Sequence, residues 1–274
     1  MNTLVKYSLR PSLVIFGVPL NRKNNPIYAI LFADYVSISI TNRSRKCLEP
    51  PHVNRIIRII EEELGEKLEI SICVEKTIRY LPYISYYSVL TSAFSLFLSE
   101  LLELDIIDIT ESLMGVETEL FDHDIIQFIQ SLRLSTINDK PLLYRYGEEP
   151  IVIDNPRNCF VSIIEPKIPK IEEPLMYRVE DVDNELSDLM TKIAGLTVIK
   201  AYNSIHKHEN ISLLNTCCRF ENMIWYVEYN LNPPTTIHGN NFCVKWIPNI
   251  GRPIQIMLSL SAVNGHKSLV KALC

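Results

Sequence analysis

The stretch YLPYISYYSVLTSAFSLFLSELLEL, Tyr80 to Leu104, decides how the chain is read. From Val89 to Leu104 it carries a long apolar surface at helical period. Ser85 or Ser88 stands where a side chain can accept hydrogen bonds from the first free amides of that helix. Just before it, KLEISICVEKTI alternates, with Leu68, Ile70, Ile72 and Val74 on one face, as a half-buried strand does. The order is strand, turn, buried helix. Such a helix N-terminus is an anion site in principle, because free amides and the helix dipole both face the incoming charge. Yet the stretch contains no glycine, and glycine usually lets a phosphate approach the backbone. Hydroxyls of Ser85, Ser88, Thr91 and Ser92 are the alternative contacts; the plainer reading is that they cap and solvate a buried helix. Tyr83, Tyr86 and Tyr87 are either core-edge aromatics or a stacking surface for a base.

Working outward, IYAILFADYVSISI (Ile27 to Ile40) reads as one or two strands. NRIIRIIEEEL places Ile56, Ile57, Ile60 and Leu64 on one face of a surface helix, with Asn54 available as its cap and Gly65 as its stop. Beyond Leu104, DIIDITESLMG and ETELFDHDIIQFIQSL read as two shorter helices, and PLLYRYGEEPIVIDNPRNCFVSIIEP as strands separated by turns. Proline-punctuated EPKIPKIEEP (Glu165 to Pro174) is a loop or linker, with a domain boundary just before it, near residues 150 to 158. Two further helical segments follow, and TTIHGNNFCVKWIPN and RPIQIMLSL are late strands.

A chain of 274 residues, 47% hydrophobic and 22% charged, can bury one large core or two modest ones. Its formal net charge of −5 argues against nucleic acid as a partner, since that affinity rests on neutralising phosphates. Glu100 and Glu103 interrupt the best apolar run, and MNTLVKYSLRPS lacks the apolar core of a signal peptide, so no membrane partner and a cytoplasmic location are expected. Seven scattered cysteines without a CxxC pair read as reduced, structural thiols. His206 and His208 fall on different sides of a helix and Cys217 with Cys218 is too tight for zinc, which argues against a metal site there. A short basic run, Arg43, Arg45 and Lys46, can meet a phosphate but in a turn is ordinarily solvated.

This order of elements resembles the GHMP small-molecule kinase superfamily. There a strand pair, a helix, a strand and a loop entering a long buried helix form the ATP-binding half. In that family the loop reads proline, several glycines, then a serine pair; here LPYISYYSVLTSAF keeps Pro82, Ser88 and Ala93, while Ser85 and Tyr87 stand where glycines are expected. Two segments are similar to the archaeal pantoate kinases of coenzyme A synthesis. In VETELFDHDIIQFI, Val116 and Glu117 match a Val-Glu pair, and Asp124, Ile125, Ile126 and Gln127 resemble a Gly-Asp-Val-Val-x-Gln stretch with one position closed up. In IHGNNFCVKWI, Gly239 and Asn240 resemble a Leu-Gly-Asn turn entering a strand.

The resemblance implies an α+β, two-domain GHMP kinase fold. Its N-terminal half, residues 1–155, would be like domain 2 of ribosomal protein S5 and bind nucleotide; its C-terminal half, 156–274, would be ferredoxin-like. It implies ATP and Mg²⁺ as cofactors, a small hydroxy acid as substrate, pantoate foremost, and is compatible with a homodimer. Asp124 would polarise the substrate hydroxyl, Glu117 hold Mg²⁺, Ser85, Ser88, Thr91 and Ser92 contact the nucleotide, and Gly239 and Asn240 line the substrate side. From the residues alone, Asp124 is equally a solvated charge on a helix face, Glu117 an ordinary acid, and Gly239–Asn240 a turn. Two other readings stay open: a degenerate relative that binds a ligand or partner without turnover, and a non-kinase enzyme on this fold, such as the ribofuranosylaminobenzene phosphate synthases.

Overall fold

In the computed structural model, residues 3–20, 25–42, 47, 50–78, 81–164, 184–208, 210–234, 242–262 and 269–274 are described. The elements in chain order are β1 (Thr3–Leu9), β2 (Ser12–Phe16), β3 (Ile27–Phe32), β4 (Val36–Asn42), α1 (Pro51–Leu64), β5 (Ile70–Lys76), α2 (Tyr83–Leu102), α3 (Ile106–Glu117) and α4 (His123–Asn138). They continue as β6 (Leu142–Tyr144), β7 (Ile151–Val152), β8 (Asn158–Ile164), α5 (Asn184–Asn203), a π-helical turn (Ser204–His208), α6 (Ile211–Tyr229), β9 (Phe242–Ile247), β10 (Ile254–Ser259) and β11 (Val270–Leu273).

Every residue of β3 is buried because both faces of its sheet are covered. Ile27 and Ala29 join a core with Val14 and the helices α2 and α4, while Tyr28, Ile30 and Phe32 join a second core with Leu13, Ile15 and residues of α5 and α6. The two-residue strand period thus feeds two cores from one strand. Among the described residues, the larger sheet runs β7-β6-β3-β11-β8-β10-β9, with β2 pairing β3. The smaller, β1-β4-β5, is antiparallel. α2 and α4 contact each other and lie between the two sheets. That position explains α2: Tyr87, Val89, Leu90, Ala93 and Phe94 are all fully buried, as expected of a helix apolar on nearly every side.

β11 pairs with β3 through Ala272 and Leu273 and with β8 through Val270 to Leu273, so it joins β3 and β8 into one sheet. β8, β9, β10 and β11 adopt the order β11-β8-β10-β9, the C-terminal part of the α+β fold.

Three expectations are corrected. α1 begins at Pro51, a residue suited to the first helical position, so Asn54 lies inside the helix; Gly65 ends it in the left-handed conformation, φ +67°. α2 begins at Tyr83, so Ser85 and Ser88 lie within it and neither caps it. The cysteines pair: Cys47–Cys73, Cys159–Cys274 and Cys218–Cys243 are disulfides, and Cys217 alone is free and buried. Strand and helix pairing brings these partners together, and the cysteines therefore no longer argue for a reducing compartment. The segment from Glu165 to Pro174 read as a linker, the basic run Arg43, Arg45 and Lys46, and the pair Gly239 and Asn240 lie outside the described residues.

Candidate functional site

Pro82 precedes α2 and supplies no side-chain cap, so the helix needs another acceptor for its first amides. Asn249, in the connection between β9 and β10, provides it: its Oδ1 accepts a hydrogen bond from Ile84 N–H at 2.9 Å. One of the amides that would face a phosphate is therefore already occupied. Tyr83 and Tyr87 close the same turn. The Tyr83 hydroxyl is 2.8 Å from Nδ1 of buried His52, and the Tyr87 hydroxyl donates to Glu117 Oε1 at 2.9 Å.

The four hydroxyls expected to contact nucleotide divide into two kinds. Thr91 donates to the carbonyls of Tyr87 and Ser88, and Ser92 to the carbonyl of Ser88, so both are satisfied within the helix. Ser85 and Ser88 are fully buried and their Oγ atoms have no partner among the described residues. They keep unused hydrogen-bonding capacity, yet they sit in an enclosed interior.

Glu117, at the end of α3, is fully buried and forms an ion pair with Arg133 of α4, also fully buried. Arg133 further donates to Gln130 Oε1 at 2.8 Å. Burial pushes the Glu117 carboxyl up from its ordinary range, and the Arg133 guanidinium and the Tyr87 hydroxyl pull it back. Burial also raises the Tyr87 phenol, with the neighbouring Glu117 charge adding to the effect. A magnesium ion needs oxygen ligands and room for water, whereas Oε1 of Glu117 already accepts from a guanidinium and a phenol. As arranged, Glu117 does not fit a metal ligand, and among the described residues no group of three or more His, Cys, Asp or Glu is placed to hold an ion.

Asp124 lies elsewhere. It is half-buried in the first turn of α4, where the helix dipole favours a negative charge. It lines a narrow cleft with Val18, Leu20 and Asn25 of the β2–β3 connection and Gln127 and Phe128 of its own helix. Asn25 is 6% exposed, and its Nδ2 has no partner among the described residues. The connection is fixed at its start by Gly17, whose φ of +131° suits glycine and whose added Cβ would stand 3.1 Å from the Phe128 ring. Gly17 N–H donates to Glu221 Oε1 at 2.6 Å, and Glu221 is paired with the fully buried Lys245, which also donates to the Ile15 carbonyl. Burial pulls the Lys245 amine well below its ordinary value.

The structure thus separates what sequence reasoning grouped. Ser85, Ser88, Thr91, Ser92 and Glu117 belong to the α2–α3–α4 interior, and Asp124 opens on the β2–β3 connection, in a cleft whose described lining includes no residue of α2. Asn25 and Gly17 were not singled out from sequence; the signal was GVPLNRKNNP, a glycine and two prolines interrupting two apolar strands.

No family model matches the sequence, and no curated protein matches it. Solved structures do. The Streptococcus pneumoniae phosphomevalonate kinase aligns with a TM-score of 0.59 at 8% identity, covering 94% of this chain and 92% of that one. The same enzyme in complex with phosphomevalonate and AMPPNP gives 0.57 at 10% identity, over 94% and 93%. The Methanococcus jannaschii mevalonate kinase gives 0.58 at 12% identity, over 94% and 91%. The chain has the fold of the GHMP small-molecule kinases. At these identities the likeness concerns the GHMP fold, and what the chain does must come from its own residues.

Proposed function

We propose that the chain is an ATP-dependent small-molecule kinase that phosphorylates the hydroxyl of a small hydroxy acid, with pantoate as the candidate acceptor and 4-phosphopantoate as the product. The observation that carries this reading is one cleft of a GHMP fold lined by both the Asp124 carboxylate and the Asn25 amide, which has no partner among the described residues; at about 10 Å³ the cleft must widen to admit an acceptor. A carboxylate near the attacking oxygen orients the hydroxyl and receives its proton, and a free amide donor beside it holds a second oxygen of the acceptor. On this reading residues 1–155 would bind the nucleotide and also form the cleft, whose described lining falls between Val18 and Phe128. ATP would supply the phosphoryl group, and its natural place is the α2 N-terminus, where binding requires Asn249 to release Ile84 N–H. Mg²⁺ would accompany the nucleotide, held by phosphate oxygens and water, since Glu117 is already occupied by Arg133 and Tyr87.

Asn25→Ala tests the acceptor contact. With ATP saturating, it should raise KM for the acceptor about tenfold while changing kcat far less, since one hydrogen bond made in both ground and transition state is lost. Equal KM values for the two proteins would remove Asn25 from the site.

A second reading is favoured by a specific observation: Glu117 is sealed by Arg133 and Tyr87, and Ile84 N–H by Asn249. On that reading the chain keeps the fold and binds a ligand or partner without turnover. Absence of ATP binding by calorimetry, together with retained binding of a hydroxy acid, would select it.

A further inference from the structure

Away from the Asp124 cleft, a groove of about 360 Å³ runs between α6 and β9, a size typical of small-molecule sites. One wall is Arg219, Met223 and Tyr226 of α6, the other Phe242 of β9, and the disulfide Cys218–Cys243 joins the two walls. We propose that this groove binds a small molecule with an apolar body and a single carboxylate. The inference does not rest on the kinase reading.

Among the described residues β9 is an edge strand, and an open strand edge ordinarily invites a further strand. Here that invitation is withdrawn. Asn222 of α6 donates from Nδ2 to the Val244 carbonyl at 3.0 Å, and its Oδ1 accepts from Trp246 N–H at 3.1 Å. The side-chain amide takes the place of a neighbouring strand, so the groove is closed to strand addition and suits a compact ligand instead. Its lining is mainly apolar, which asks for a hydrophobic body. Its polar residues are Asn222, engaged by the β9 edge, Asn215, and Arg219, which is the one charged group among the described lining, exposed on α6 and without an ion pair or hydrogen bond among the described residues. No acidic residue is among the described residues lining the groove, so a carboxylate at this guanidinium meets no like charge. The chain as a whole is acidic, at −5, so attraction of an anion must come from Arg219 locally. Trp246 lies two residues beyond Val244 on β9, its indole N–H donating to the Asn232 carbonyl at 2.9 Å, and provides an optical reporter near the groove.

The test uses the full chain and octanoate as probe, followed by calorimetry and tryptophan fluorescence, with octanol and octylamine as uncharged and cationic controls. Octanoate should bind saturably at one site, with octanol about tenfold weaker, the loss of one charge-assisted hydrogen bond. Arg219→Leu should bring octanoate to the octanol level, and Met223→Glu should abolish its binding. Both positions are exposed on α6, so thermal unfolding of the variants should stay close to the parent. No saturable octanoate binding, or octanoate binding that neither substitution weakens, would overturn the proposal.

Discussion

Asn249 Oδ1 and Ile84 N–H meet at 2.9 Å across 165 positions of sequence, so the start of the central helix is capped by a side chain from the other half of the chain. Where a glycine loop would leave amides open to phosphate, this chain supplies its own acceptor. Replacing Asn249 with Gly should therefore do two things. Loss of the cap should cost about 1 kcal/mol, read as a lower midpoint in urea unfolding. It should also strengthen binding of ATP or inorganic phosphate at α2, measured by calorimetry. Unchanged anion affinity would mean that Asn249 does not guard an anion site.

Glu117 and Arg133 offer a second measurement. Glu117→Gln leaves the Arg133 charge buried without its counter-ion and should destabilise by about 3–5 kcal/mol. Replacing both, with Glu117→Leu and Arg133→Met, should recover most of that loss, because the desolvation of both charges is avoided together. A double variant as unstable as the single would show that the pair does not act as a unit. Urea unfolding of the three proteins decides it.

Stability should fall on mild acidification. Burial lowers the pKa of His52 and of His206 below the ordinary 6.5, with Arg157 adding to the effect at His206. The unfolded chain then binds more protons than the folded one as pH drops past 6.5, so this stabilisation is present above that value and is lost on the way down through the folded pKa values. Between pH 7.5 and 5.5 the unfolding midpoint should decrease, and His52→Phe, which keeps an aromatic ring against Phe121, should flatten the decrease. An identical slope in the variant would contradict the assignment.

Thiol counting checks the disulfides. Of seven cysteines, six are paired, so the denatured, unreduced protein should titrate as one thiol, from Cys217, and as seven after reduction. Reduction should also lower stability by about 2–5 kcal/mol per structural disulfide lost. Seven reactive thiols before reduction would return the cysteines to the reduced state that their sequence spacing suggested.

Local periodicity made much of this fold legible. The alternation of Ile70 and Ile72 marked β5, the spacing of Ile56, Ile57 and Ile60 marked α1, and the apolar run after Val89 marked α2. β11 was not legible: VKAL is four residues long and becomes a strand because β3 and β8 both pair with it. The start of α2 was set too late because the serines resemble caps, while the acceptor in use, Asn249, is remote in sequence. Asp124 was singled out through its setting in VETELFDHDIIQFI, while its cleft neighbour Asn25 is marked only by the glycine and prolines of GVPLNRKNNP, which signal a turn and no chemistry. Glu117 reads in sequence as a free acid, and only the packing of α3 against α4 places Arg133 on it.

On the proposed reading, phosphoryl transfer takes place at the Asp124 cleft. It is tested most directly by ADP formation from ATP and pantoate in the presence of Mg²⁺, compared between the parent chain and Asp124→Asn. Pantoate-dependent turnover that falls by at least about a hundredfold in the variant, with ATP affinity retained, is the predicted result, since removal of a general base typically costs that much. Turnover equal in the two proteins, or no ADP formed with pantoate or any other hydroxy acid, would contradict it.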